Sequence, residues 1–220
     1  MKMKLMLMVV VLVFAGSAQA GYYRLAFITS TDPGTKWMND IEEFNSYVQG
    51  LADVAGIGYD YQIEEMDGLR WYCIGSTNEV DARDNTGTNP NVETGVPIYL
   101  VDGTTKVADD NADLWDGEID HIINQNEYGV EKSHWPHTGT KPDGTASDYT
   151  NTHGGPLDDA VVAQGNGGST TDWIWRQWTA RPDTQRLPLY AISEVILPEP
   201  ATICLLGLGG LTMLRRRKRA

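Results

Sequence analysis

Two uncharged, apolar runs stand near the ends of this chain, residues 5–14 (LMLMVVVLVF) and 201–214 (ATICLLGLGGLTML), and between them hydrophobic positions recur in short periodic groups. The first group, residues 22–29 (YYRLAFIT), is aromatic and β-branched and predicts a strand. Asp32, Pro33 and Gly34 then give a turn signal. Trp37, Ile41, Phe44, Val48, Leu51 and Ala55 follow at spacings of four and three, with Asp40, Glu42, Glu43, Asn45 and Gln49 among them. That period predicts an amphipathic helix ending at Gly56, with its early carboxylates at the positive end of the helix dipole.

Beyond Gly58 the pattern changes to short strands and polar loops. Residues 70–74 and 98–101 predict strands, and Asp102-Gly103 joins the second of them to residues 105–108 as a tight hairpin. Residues 81–95 (DARDNTGTNPNVETG) are a loop by composition. Residues 133–168 are rich in Gly, Thr, Asp, Asn and Pro and predict a surface meander that carries His134, His137 and His153. Trp173 and Trp175 alternate as in a strand, and residues 189–196 predict a closing strand. One main amphipathic helix with short antiparallel strands is an α+β architecture. Residues 21–197 fit a single domain that buries roughly 70% of its unfolded surface.

The apolar ends carry different flanks. Lys2 and Lys4 precede the first run, and Ala18, Gln19 and Ala20 follow it as an A-x-A cleavage site, so residues 1–20 form a secretory signal peptide. Signal peptidase and the Sec export machinery are then partners, and the mature chain begins at Gly21. The second run has 14 residues. As a helix it reaches about 21 Å, a marginal span for a hydrocarbon core of about 30 Å. Core burial of this run fits poorly with the five basic residues that follow it, Arg215, Arg216, Arg217, Lys218 and Arg219, which suit the cytoplasmic side of a membrane.

Pro198, Glu199 and Pro200, the Gly-containing apolar run and the Arg-rich terminus together resemble the PEP-CTERM sorting signal of bacterial exosortase substrates. The resemblance covers residues 198–220. It implies an exported protein, transiently membrane-anchored by a C-terminal hydrophobic helix. An exosortase-type membrane peptidase then removes the tail, leaving the body at the cell surface or in the extracellular matrix. Such a tail is an address and carries no activity of its own.

Charge narrows the partners. Of 17 basic residues, two precede Gly21 and five follow Pro200, leaving ten against all 30 acidic residues in residues 21–200, a net charge of −20. A body so acidic excludes nucleic acid, which proteins attract through Lys and Arg, and disfavours an anionic membrane surface. Cys204 lies in the tail, so Cys73 stands alone in the body, where an internal disulfide has no second partner. Its place in a strand-like run predicts a small buried residue.

Within the body, Leu25 to Ser30 (LAFITS), the helix after it, VDARDN at residues 80–85, IYLVDG at 98–103, ADDNADLWDG at 108–117, HTGTKPDG at 137–144 and LYAISEV at 189–195 resemble, in that order, an uncharacterised family of secreted bacterial domains related to the C-type-lectin-like fold. The resemblance implies a compact α+β domain with its termini close together and a long irregular loop region. The disulfides usual in C-type lectins have no counterpart here, and neither a Glu-Pro-Asn nor a Trp-Asn-Asp motif is present.

Candidate chemistry is sparse. Asp109, Asn111, Asp113 and Asp120 occupy positions 1, 3, 5 and 12 of an EF-hand-like loop, a pattern whose oxygens wrap Ca2+. Leu114 stands where that loop needs Gly, and position 12 is Asp rather than Glu; the alternative is that Leu114 and Trp115 enter the core while the Asp residues cap turns. His134 and His137 lack the further ligands of a zinc site and are expected on exposed loops. Ser133 adjoins His134 with no G-x-S-x-G elbow, and the pair Glu64 and Glu65 is ordinary in an acidic chain. Trp71, Trp115, Trp135, Trp173, Trp175 and Trp178 either stack on sugar rings or fill a core that has only three Phe. The reading is a non-enzymatic binding or structural component of the exopolysaccharide matrix, with polysaccharide as ligand. A hydrolase using surface carboxylates is the alternative, and an ice-binding protein, which calls for a repeated Thr array, a third.

Overall fold

The computed structural model describes residues 21–33, 38–58, 68–148, 154–176 and 180–197. Tyr23–Ile196 form one compact unit. Its elements in chain order are β1 (Arg24–Ile28), α1 (Ile41–Ala55), β2 (Trp71–Cys73), α2 (Ala82–Asn85), β3 (Ile98–Leu100), β4 (Lys106–Ala108), α3 (Asn111–Leu114), β5 (Val161–Ala163), β6 (Ala180–Pro182) and β7 (Tyr190–Ser193). Five strands form a sheet in the order β2-β7-β1-β3-β4, and β5 and β6 pair separately. The α+β expectation holds. The sheet, however, is mixed: β1 runs antiparallel to β7 but parallel to β3, because the chain crosses through α1 and β2 before returning on the other side of β1.

Side-chain parity sets the layers. Along a strand successive residues face opposite sides, and here both sides are buried. Phe27, Trp71, Cys73, Leu189 and Ala191 pack with Ile41, Phe44, Val48 and Ala52 of α1. Ala26, Ile28, Ile98, Leu100, Tyr190 and Ile192 pack with Trp115, Ile119, Ile123 and Trp173 from the long irregular region. A sheet covered on both faces reads as unbroken apolar runs, which is why residues 189–192 carry no alternation.

α1 begins where its sequence demands. Asp40 adopts extended backbone and its side chain accepts the Glu43 N–H at 3.0 Å, while Gly56 ends the helix at φ 80°, a left-handed conformation that a side chain disfavours. The helix therefore starts at Ile41; Trp37 lies outside the described residues. The Asp102-Gly103 hairpin forms between β3 and β4 as expected.

Other expectations need correction. Residues 81–95 contain the single turn α2, while residues 189–196 do supply the closing strand, β7, which lies inside the sheet. Trp173 and Trp175 lie outside any strand. About half of the described residues within 133–168 are buried, so the segment is no surface meander: Thr138, Thr140 and Ser147 are inaccessible and bond backbone carbonyls, with Ser76 Oγ and Thr140 Oγ1 2.9 Å apart and Thr138 Oγ1 donating to Ile174 O at 2.6 Å. Gly139 passes so close to neighbouring backbone that a Cβ would sit 2.5 Å from Leu157 N and 2.7 Å from Ser76 O. Among the described residues no helix is long and apolar enough to cross a membrane. The expected signal peptide, residues 1–20, and the C-terminal hydrophobic segment lie outside them.

β2 is an edge strand whose outer backbone is sealed by side chains. The N–H groups of Trp71 and Cys73 donate to Gln49 Oε1 at 2.8 Å and Asn45 Oδ1 at 2.9 Å. Gln49 Nε2 donates to Leu69 O at 3.2 Å, and Asn85 Nδ2 to Cys73 O at 2.8 Å. Asn45 Nδ2 completes the set by donating to Asn85 Oδ1 at 2.8 Å. The repeats agree: four helical residues rise about 6 Å, and two strand residues advance about 6.7 Å. One face of α1 thus stands in for a sixth strand.

Replacing Asn45 by Leu leaves the Cys73 N–H and the Asn85 amide buried without Asn45's bonds. We expect a loss of about 2–4 kcal/mol, against less than about 0.5 kcal/mol for Val54→Ala on the exposed side of α1. Urea unfolding followed by tryptophan fluorescence measures both, and equal midpoints for the two variants would contradict the role given to the edge.

Candidate functional site

The acidic run folds around the edge strand β4. Asp110 caps α3, its Oδ1 accepting the N–H groups of Ala112 at 2.8 Å and Asp113 at 3.0 Å, and Asp116 accepts the Glu118 N–H at 3.0 Å. Leu114 and Trp115 turn into the core. Three of the four expected ligand residues do converge: one carboxylate oxygen from each of Asp109, Asp113 and Asp120 lies within 4.8 Å of the others. Asn111 does not join them. It is fully buried and its Nδ2 donates to Glu93 O at 3.1 Å.

A residue that the loop pattern did not include sits at this cluster. Lys106 Nζ bonds Asp109 Oδ1 and lies 2.8 Å from Asp120 Oδ2. Those hydrogen bonds push the Lys106 ammonium above its ordinary range. Asp113 Oδ2 instead accepts the Asp109 N–H at 2.6 Å. The donor set therefore fits an EF-hand-like wrap poorly, since one ligand is turned inward and an ammonium already neutralises two others. The signal was in the sequence as a Lys-x-x-Asp spacing, which places a cation beside the first ligand.

The remaining candidates separate. His134 is exposed, whereas His137 is fully buried, and His153 lies outside the described residues. Burial pushes the His137 ring down to about 4, against the raising effect of its hydrogen bond to Gln185 O at 3.1 Å. Cys73 is buried and free, and burial pushes its thiol up, so it is no thiolate nucleophile. Trp71, Trp115 and Trp173 belong to the core, with Trp115 and Trp173 ring centroids 5.8 Å apart. Trp135 is 43% exposed, with the Arg176 guanidinium 5.2 Å from its ring centroid. Trp178, Glu64 and Glu65 lie outside the described residues. A polar clamp escaped the sequence reading: Glu127 bonds both the Oγ and the N–H of Ser30, while Lys132 Nζ donates to Thr29 O, Ser30 O and Asp32 Oδ1. Its carboxylate and ammonium are used to hold residues 29–32.

The strand pairing of the body ends at Ile196, which exchanges backbone bonds with Tyr23. The next residue opens the segment that decides the protein's route. Residues 197–219 match the PEP-CTERM protein-sorting motif. This is an exosortase-sorted, exported protein. Pro198, Glu199, Pro200, Arg215, Arg216 and Arg217 of this exosortase substrate all fall within the matched range, and outside the described residues. Ala18 and Ala20 of the expected signal-peptide cleavage site lie outside them as well. No curated protein matches the exosortase substrate.

His137 gives a pH dependence with a definite sign. Its folded value of about 4 lies below the unfolded value of about 6.5, so the unfolded chain takes up the proton first. Stability is full above pH 6.5 and falls toward pH 4, by at most about 3 kcal/mol from this group. Urea midpoints measured from pH 7 to 4 should decline less steeply for His137→Gln than for the wild type. Parallel curves would remove His137 as the cause.

Proposed function

We propose that the body of this exported protein acts at the cell surface or in the exopolysaccharide matrix as a non-enzymatic binding or structural component. The observation that carries the proposal is the sorting motif at residues 197–219. In this reading Pro198, Glu199 and Pro200 are the element the peptidase recognises, Arg215, Arg216 and Arg217 hold the tail on the cytoplasmic side, and signal peptidase cuts after Ala20. The body is read as C-type-lectin-like. Support comes from the adjacency of the first and last strands, from the main helix that follows β1, and from the long irregular region on the other face of the sheet. Trp135, exposed beside Arg176, offers an aromatic ring to a neutral sugar.

A calcium role belongs to the same proposal in reduced form, with Asp109, Asp113 and Asp120 as carboxylate ligands and Lys106 as the competing cation. Titration calorimetry should show tighter Ca2+ binding by Lys106→Met than by the wild type, because the variant frees the carboxylates of their ammonium partner. Equal heats in both proteins would end the calcium reading.

The sorting role is tested by intact mass and cell fractionation of the full-length protein in its native cells, alongside Glu199→Ala. The wild type should be extracellular or surface-bound and lack the basic tail. The variant should remain membrane-associated at higher mass. Retention of the tail by both proteins would overturn the proposal.

A further inference from the structure

The segment that follows β1 is held from several sides at once. Thr29 N–H donates to Leu189 O at 2.9 Å, and Thr29 Oγ1 accepts the Leu189 N–H at 3.0 Å. Ser30 N–H donates to the buried Glu127 carboxylate at 2.8 Å and Ser30 Oγ bonds its other oxygen, while Thr31 Oγ1 and the Tyr47 hydroxyl of α1 are 2.5 Å apart. Asp32 therefore follows three residues that are each fixed by the fold.

Facing it is Lys132, 100 residues further along the chain. Its Nζ donates to Thr29 O at 2.8 Å, Ser30 O at 2.9 Å and Asp32 Oδ1 at 2.7 Å, which uses all three of its N–H groups. The Lys132 side chain is 15% exposed, less than those of Arg83, Lys106 and Lys141 in their ion pairs, and Asp32 is 31% exposed. The two carbonyls fix the nitrogen in place. The carboxylate is the one acceptor of the three with which an amine can condense.

An amine and a carboxylic acid held in contact form an amide with loss of water. In free solution the reaction runs uphill, because both groups are charged and hydrated, but partners placed by a fold act at an effective concentration of about 10⁵–10⁸ M. Burial works in the same direction, since it raises the free energy of the ion pair relative to the neutral amine and acid from which the amide forms. The body has no disulfide to tie distant segments together, because Cys73 is its one cysteine.

We infer that Lys132 and Asp32 are joined in the folded protein by an intramolecular isopeptide bond. One Nζ proton passes to the Asp32 oxygen it already bonds, leaving an amine beside a carboxylic acid. Nζ then bonds Cγ and one Cγ–O bond breaks. That oxygen leaves as water with two of the three Nζ protons, and the third stays on the amide nitrogen. The product ties the end of β1 to a segment 100 residues away.

The test is a tryptic digest, under denaturing conditions, of the protein produced from the full-length chain in its native cells, read by mass spectrometry for the wild type and for Lys132→Arg. In the wild type most molecules should yield one species that joins the peptide containing Asp32 to the peptide containing Lys132, uncut after Lys132 and lighter by one water than the two together. Lys132→Arg keeps a cation at the site but supplies no amine for the condensation, so the joined species should be lost. Recovery of the two peptides separately from most wild-type molecules, with cleavage after Lys132, overturns the inference and leaves an ion pair only. A joined species that persists in Lys132→Arg also overturns it, because the link would then lie elsewhere.

Discussion

The fold depends on how one strand edge is closed. Among the described residues β2 has a strand neighbour on one side only, and a buried row of unpaired N–H and C=O groups on the other would cost more than the strand contributes. α1 solves this with two amides one turn apart, Asn45 and Gln49, and α2 adds Asn85. Because those amides point at the sheet, the residues beside them, Ile41, Phe44, Val48 and Ala52, must lie on the same sheet face and fill the first core. The placement of α1, the burial of Cys73 and the position of α2 therefore follow from a single hydrogen-bonding requirement.

The parts legible in sequence were those governed by local rules. α1 announced itself through its period, its Asp40 cap and Gly56, and the hairpin through Asp102-Gly103. Neither rule depends on distant residues. The parallel pairing of β1 with β3 was invisible because nothing local distinguishes a parallel three-residue strand from an antiparallel one. Residues 133–168 misled for a related reason. Thr and Ser mark loops by composition, yet here the hydroxyls of Thr138, Thr140 and Ser147 bond backbone carbonyls, which lets polar residues be buried alongside β5. His137 followed that segment inward.

The acidic site shows the same division. The spacing of Asp109, Asp113 and Asp120 did bring three carboxylates together, but the inward turn of Asn111 depends on Glu93, 18 residues away, and on the space left beside Gly95. The address was easier to read than the body, because export and sorting signals act as linear strings before or apart from folding. Which side chains meet on a folded surface is set by residues gathered from remote positions, as Trp135 and Arg176 are.

The central strand also fixes the order of events in the life of the chain. β1 is nearly the first part of the body to be made, and its antiparallel neighbour β7 is nearly the last; Leu25 N–H and its acceptor Ser193 Oγ are 168 residues apart. A sheet whose middle pairing spans almost the whole body has high contact order and closes late, after the entropy of a very long loop has been overcome. Until β7 has been synthesised, β1 lacks a partner on one side and the two cores cannot be completed. A polypeptide that cannot fold early stays threadable, which is the state a narrow export channel requires.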